Sequence, residues 1–299
     1  MQMVWLSFSF LFRCRFALLF LIIFSHAASA QLDSLTRDTL RDCELRLMGL
    51  GQSMIQSYDE ETRLTSGRNF VKQLSRTLKI KGSWHYPFDS LKYVSILRSP
   101  DNLFRIMTWN IATNDENFRY FGVIQMNPDV IRRYKDTVNL RPFYPLIDRS
   151  DSVSDIFHAV LDADHWWGAT YYKIIATSAQ SGTYYTLLGW DGATSRSNKK
   201  IADVLTFKNN KPYFGAPIFD VKGKSILYRM IWEFSNRATM TLRYEEKRKM
   251  LVYENIVPSK PQNAGMYETY VPDGSYDYMV WKKGKWEKQP GMVRDFKME

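Results

Sequence analysis

The chain has 299 residues, with 41 Lys and Arg against 31 Asp and Glu for a formal net charge of +10, 15% aromatic residues and two cysteines. That length suffices for one large domain, or for one with a small appendage. Two cysteines this far apart, one of them in a removable leader, exclude a disulfide scaffold, so stability has to come from the core.

The first 30 residues have the parts of a secretory signal peptide. Arg13 and Arg15 precede an apolar run from Phe16 to Phe24, and Ala28-Ser29-Ala30 supplies the small residues of a cleavage site. The run is shorter than the roughly 20 residues a spanning helix needs, so cleavage after Ala30 is expected, leaving no transmembrane span. The product is exported, to the periplasm or the extracellular medium. A pI near 9.4 would otherwise suit a nucleic-acid binder; export argues instead for an envelope glycan or protein as partner, and for no nucleic acid.

Residues 31–81 read as helical. Leu32, Leu35, Leu40, Cys43, Leu47, Leu50 and Met54 recur at helical spacing on one face. Ser57 followed by Glu60 is a capping pattern, after which Leu64, Phe70, Val71, Leu74 and Leu78 continue a second stripe. Cys43 lies on the first stripe and acts as a small hydrophobe.

From Gly82 the character changes, and residues 82–299 read as one antiparallel β-rich domain. Val94–Leu97 and Phe104–Trp109 flank the turn Ser99-Pro100-Asp101-Asn102 as a hairpin, and Phe118–Met126 adds a further strand. Prolines break the pattern between Asn127 and Trp167, where Val153–Leu161 has the periodicity of a short helix capped by Ser152 or Ser154. Strands resume at Tyr171–Ala176 and enter the central stretch, Tyr184–Pro217, in which the apolar run Tyr184–Trp190 stops at Asp191-Gly192, a pair that turns easily. Further strands are expected at Ile201–Phe207, Ile226–Phe234, Thr239–Tyr244, Met250–Glu254 and Tyr276–Trp281, with an exposed loop over Pro258–Gly265. The charged run Tyr244–Lys249 reads as a solvated turn. Helices followed by strands give an α+β class: a helical hairpin, then a large antiparallel meander in a curled or barrel-like sheet. A propeller is the minority alternative, since the Ser-Pro-Asp-Asn turn occurs once and no fixed-period repeat is present.

Several phrases together resemble a family of secreted Gram-negative bacterial proteins of unknown function: Trp84-His85-Tyr86-Pro87-Phe88-Asp89-Ser90-Leu91, Trp167-Gly168-Ala169, Tyr185–Gly192 with Asn198-Lys199-Lys200, Gly215-Ala216-Pro217, and Arg237–Tyr244. The resemblance implies export and a single module filling the mature chain. It implies no reaction, and no functional residue is carried over.

The densest chemical cluster is His158, Asp162, Asp164 and His165, followed by Trp166-Trp167. Imidazoles and carboxylates this close could serve acid/base or metal chemistry, and helical spacing would put His158 and Asp162 on one face. The compact two-histidine motif of zinc hydrolases is missing, so a structural or capping role is the first reading and no metal site is assigned. Asp191, Asp220 and Glu233 form a looser carboxylate set that only the fold could assemble, and Asp191 is first of all a turn former. No Gly-x-Ser-x-Gly elbow or phosphate-cradling loop is present, and no cofactor is expected. Trp84, Trp166, Trp167, Trp190, Trp281 and Trp286 fall near strand ends, where an exposed ring could stack on a sugar; Trp166, Trp167, Trp190 and Asp191 are the binding candidates. The expectation is thus a non-enzymatic exported binding or envelope-associated module. The alternative is a hydrolase of envelope or extracellular polymers working through the His/Asp cluster.

Overall fold

The computed structural model describes residues 32–131, 141–222 and 225–289. The export signal expected over residues 1–30 lies outside the described residues.

Two helices open the described chain. α1 (Ser34–Gln56) starts at Asp33, whose carboxylate accepts the Thr36 amide at 2.8 Å, and buries Leu40, Glu44, Leu47, Gly51 and Met54 along one stripe. The buried Glu44 carboxylate accepts the Tyr86 hydroxyl at 2.6 Å and the Ser90 amide at 2.7 Å, so its polarity is matched. α2 (Glu60–Leu78) is capped by Asp59 through the Thr62 amide rather than by Ser57. No described helix is long and apolar enough to cross a membrane.

The strands divide into three sheets where the sequence pointed to one, and none closes on itself. The first is a meander of β1 (Ser95–Arg98), β2 (Phe104–Ala112), β3 (Phe118–Met126) and β4 (Phe143–Ile147). After β3 comes the single-turn α3 (Pro128–Ile131). The second sheet holds β5 (Leu161–Asp162), β6 (Thr170–Ala179), β7 (Gly182–Asp191), β8 (Ser197–Lys208) and β9 (Lys211–Phe214) in the order β5-β9-β8-β7-β6. Next in the chain are β10 (Phe219–Asp220), which leaves for the third sheet, and β11 (Met230–Ser235), which pairs with the N-terminal half of β8. The third sheet is completed by β12 (Leu242–Glu245), β13 (Met250–Pro258), β14 (Tyr270–Lys282) and β15 (Lys285–Lys288), with β10 lying parallel to β15. A four-stranded meander of consecutive strands therefore forms the body of every sheet.

Alternation along the strands stacks these layers. In β2, Met107, Trp109 and Ile111 face α1 and α2, while Phe104 and Ile106 face the second sheet. In the second sheet, Ile174, Tyr185 and Leu187 pack on the first sheet, while Ile175, Leu188 and Val204 pack on the third. Both faces of this sheet are buried, which is why Tyr185–Gly189 is a continuous buried run and not an alternating one.

The helix expected over Val153–Leu161 does not form. A turn spans Asp155–His158, and the carbonyls a helix would use are taken by residues 70 or so positions on: Phe157 accepts the Tyr228 amide at 2.8 Å, and Ile156 and Ala159 accept the Arg229 guanidinium. Arg229 is itself fully buried and paired with Asp203 at 3.1 Å. A single i to i+4 bond closes among the described residues of this segment, from the Ala159 amide to the Asp155 carbonyl at 2.9 Å, and the long-range partners hold the next carbonyls out of helical line.

Candidate functional site

A polar cleft of about 810 Å³ opens between β3 and β4 of the first sheet and β7 and β8 of the second. Its floor is built by register. Asp191, the last residue of β7, lies opposite Lys199 of β8, and Lys199 lies opposite Glu233 of β11. The Lys199 ammonium accordingly sits 4.0 Å from Asp191 and 3.9 Å from Glu233. Two of the three scattered carboxylates are thereby gathered on one cation, whereas Asp220 pairs into the third sheet beside β15 and takes no part.

Asp191 also forms the turn its sequence suggested, since its Oδ1 accepts the Ala193 amide at 2.9 Å. The following glycine is required by close approach, because a Cβ on Gly192 would meet the Phe118 ring at 2.1 Å. The Tyr120 hydroxyl donates to Asp191 Oδ1 at 2.9 Å and accepts the Gly192 amide at 2.7 Å. Burial raises the Asp191 pKa above the ordinary 3.8, partly opposed by Lys199. Burial, then the Asp191 charge, pushes the Tyr120 phenol far up, so it stays a neutral donor. On the opposite wall Asp148 accepts the Tyr120 amide at 3.1 Å and the Ser150 hydroxyl at 2.8 Å.

The tryptophan pair splits as strand-like alternation requires. Trp166 is fully buried in the core between the first two sheets, its indole N–H donating to the Tyr171 hydroxyl at 3.1 Å. It is withdrawn as a binding candidate, because a ring with no accessible face cannot stack on a ligand. Trp167 is half-buried and lines the cleft with Lys199 5.6 Å above its ring. Its indole nitrogen is buried with no hydrogen-bond partner among the described residues. Trp190 packs edge-on against Phe118 at 5.4 Å, behind the cleft rather than in it. Trp84 and Trp286 are core residues as well.

The His/Asp cluster lines a second cavity of about 550 Å³, to which Asp155, His158, Asp162, His165 and Tyr213 contribute; Asp164 does not. The expected pairing of His158 with Asp162 across a helical turn fails because the helix is missing. Each histidine takes the carboxylate three residues before it: His158 Nδ1 lies 2.9 Å from Asp155, and His165 Nδ1 lies 2.8 Å from Asp162. Asp164 bends back so that its amide reaches Asp162 at 3.1 Å. The other nitrogen of His158, Nε2, lies 2.9 Å from the Ser225 hydroxyl. No group of three or more His, Cys, Asp or Glu side chains among the described residues could hold a metal ion.

Sequence reasoning missed Tyr120, Asp148 and Lys199 in the cleft, and Asp155 and Ser225 beside the second cavity. Only Asp155 carried a local signal, its three-residue spacing from His158. No protein-family model, curated protein or solved structure matches the chain, so the chemistry of both sites rests on their own geometry.

Proposed function

We propose that the protein is an exported binding module, and that the cleft between the first two sheets holds, without turning it over, a hydroxyl-rich chain such as an envelope glycan. The leader-like first 30 residues support export. The observation that carries the binding reading is the lining of the cleft: a flat Trp167 ring beside a cation and two carboxylates, each already aimed by strand register or by fixed hydrogen bonds. At about 810 Å³ the cleft falls within the range of roughly 300–1,000 Å³ that small-ligand sites occupy, and its lining is more polar than is usual for such sites, which suits a ligand rich in hydroxyls. The buried, unpartnered indole N–H supports a ligand oxygen as its acceptor, because such a donor is costly when left unmatched.

The test is a binding screen of the mature protein against purified envelope polysaccharides by calorimetry, followed by Trp167→Ala and Asp191→Asn. Saturable binding lost in both variants, with folding intact, supports the reading. Absence of binding to every polysaccharide at millimolar sugar, or turnover of one of them, sinks it. A hydrolase using His158, Asp162, Asp164 and His165 together has less support, since His158 pairs with Asp155 and not with Asp162, and Asp164 stands outside their cavity.

For the architecture, the three consecutive four-stranded meanders support the blade-like alternative over a curled or barrel-like sheet. A crystal structure with the sheets stacked about no common axis would decide against it.

A further inference from the structure

Two side chains that line the second cavity, Asp155 and His158, form a continuous relay with Ser225 just outside its lining. The Asp155 carboxylate lies 2.9 Å from His158 Nδ1, and His158 Nε2 lies 2.9 Å from Ser225 Oγ. We propose that Ser225 is a hydrolytic nucleophile with His158 as its base and Asp155 as the residue that positions the imidazole, and that the adjoining cavity accepts the acyl part of a short, uncharged carboxylic ester. This site is separate from the cleft between the sheets and stands or falls without it.

The relay meets the geometric requirement for an activated serine, a hydroxyl within reach of one imidazole nitrogen while an acceptor holds the other. The His158 hydrogen bond holds the Asp155 carboxyl below its ordinary value, so it is ionised at neutral pH. An ionised carboxylate accepts only, which places the proton on Nδ1 and leaves the Nε2 lone pair facing Ser225. His158 and Ser225 are far apart in sequence, and their alignment is enforced from below. The Phe157 carbonyl accepts the Tyr228 amide at 2.8 Å, Arg229 ties down Ile156 and Ala159, and the His158 ring packs edge-on against Tyr228 at 5.9 Å. Segments 155–159 and 225–229 are thus stitched together by a buried guanidinium, the kind of support that keeps a reacting pair in register. His165 and Asp162 reproduce the first half of this arrangement, but among the described residues no hydroxyl stands on the other side of His165.

The cavity fixes the substrate class. Val153, Val160 and Leu161 give it an apolar wall, and Asp155 and Asp162 add negative charge to its lining. An apolar acyl group fits this lining, while an anionic substrate is repelled. In the first step Ser225 Oγ bonds to the ester carbonyl carbon as His158 Nε2 takes its proton, and the carbonyl π electrons move to oxygen. Collapse breaks the bond to the alkoxide, which leaves with the proton from Nε2. Water then adds to the acyl-serine, giving a proton to Nε2. The bond to Oγ breaks and Ser225 is reprotonated, so ester and water have become acid and alcohol. With 63% of its side chain exposed, Asp155 is screened by water, so it orients the ring more than it stabilises the imidazolium. Slow turnover is expected.

The experiment is labelling of the mature chain with a fluorophosphonate, read by intact mass and peptide sequencing, beside hydrolysis of p-nitrophenyl acetate. One adduct at Ser225 is expected, absent in Ser225→Ala. The labelling rate should fall about 10²–10⁴-fold in His158→Gln, the usual worth of a general base. Asp155→Asn should lower the rate and Asp155→Glu should restore part of it, whereas His85→Ala, at a histidine outside both cavities, should label like the parent. Because Ser225 and Asp155 are exposed, their variants remain informative even if His158→Gln fails to fold. A folded parent protein that stays unmodified at Ser225 under excess probe, or labelling that is as fast in Asp155→Asn and His158→Gln as in the parent, overturns the assignment.

Discussion

Replacing Asp203 with Asn tests the buried network that holds the second sheet and the His158 loop together. Asp203 Oδ1 accepts Arg229 Nε at 3.1 Å and the Val204 amide at 2.8 Å, and Oδ2 accepts the Tyr171 hydroxyl at 3.2 Å, all out of contact with solvent. An amide at this position removes the countercharge of a fully buried guanidinium and turns one of the two acceptors into a donor facing a donor. At 3.1 Å and an effective dielectric of about 20, the lost attraction is about 5 kcal/mol. Measured losses on breaking one side of a buried pair are about 3–5 kcal/mol, and we expect that range. Urea unfolding followed by circular dichroism and tryptophan fluorescence should show it at an unchanged m-value, with a fall in Tm of about 10 °C. The double variant Asp203→Leu with Arg229→Met should recover part of the loss, because it removes the unpaired buried charge but leaves the Ile156 and Ala159 carbonyls and the Tyr171 hydroxyl without these partners. A loss under about 1 kcal/mol in the single variant, or no recovery in the double, refutes the assignment of the stability to this pair.

Three further outcomes are expected. Because burial raises the Asp191 pKa, the folded chain binds that proton more tightly than the unfolded one, and this contribution to stability is lost as pH rises from 3.8 through the raised folded value. Asp191→Asn should therefore gain relative to the parent between acid and neutral pH, and urea midpoints in which the gap narrows as pH rises would contradict this. Arg105 is buried, its pKa lowered to about 9 by burial, with only neutral partners: Gln125 at 2.7 Å and the Tyr86 and Ser83 carbonyls, each at 2.8 Å. Arg105→Met should cost at least about 3 kcal/mol by stranding three acceptors, and should change the near-ultraviolet dichroism of Trp84, which lies 5.7 Å away. Gly215 has a φ of 95° and a Cβ there would stand 2.3 Å from the Ala159 carbonyl oxygen. Gly215→Ala should lose about 2–4 kcal/mol from strain and overpacking together, read as a shift in urea midpoint.

Elements set by local rules are legible in the sequence itself. Both helices follow from their apolar stripes, although the second cap is Asp59, whose carboxylate outcompetes Ser57 for the first free amides. The hairpin turns at Ser99–Asn102 and after Asp191 are marked by their turn residues. The division into three sheets is not legible, because it depends on which faces meet. Its trace in the sequence is the doubly apolar run Tyr185–Leu188, which says that both sides are covered without saying by what. Val153–Leu161 has a helical period, yet Tyr228 and Arg229 claim its carbonyls from far along the chain. Asp191 in the cleft and Glu233 beside it stand out singly in the sequence, and only strand register places Lys199 between them. Tyr120 and Asp148 look like ordinary strand and loop residues. Ser225 acquires interest solely from what stands opposite it.

The position of β15 has a consequence for biogenesis. Trp286 is wholly enclosed, its amide donating to the Ile218 carbonyl at 2.6 Å and its indole to Thr186 at 2.9 Å. β15 itself is wedged between β14 and β10. All of β1 to β14 is synthesised before this wedge exists, so the second and third sheets cannot lock until β15 has been made. Until that strand arrives, the Thr186 hydroxyl and the Ile218 carbonyl wait for partners that only Trp286 supplies.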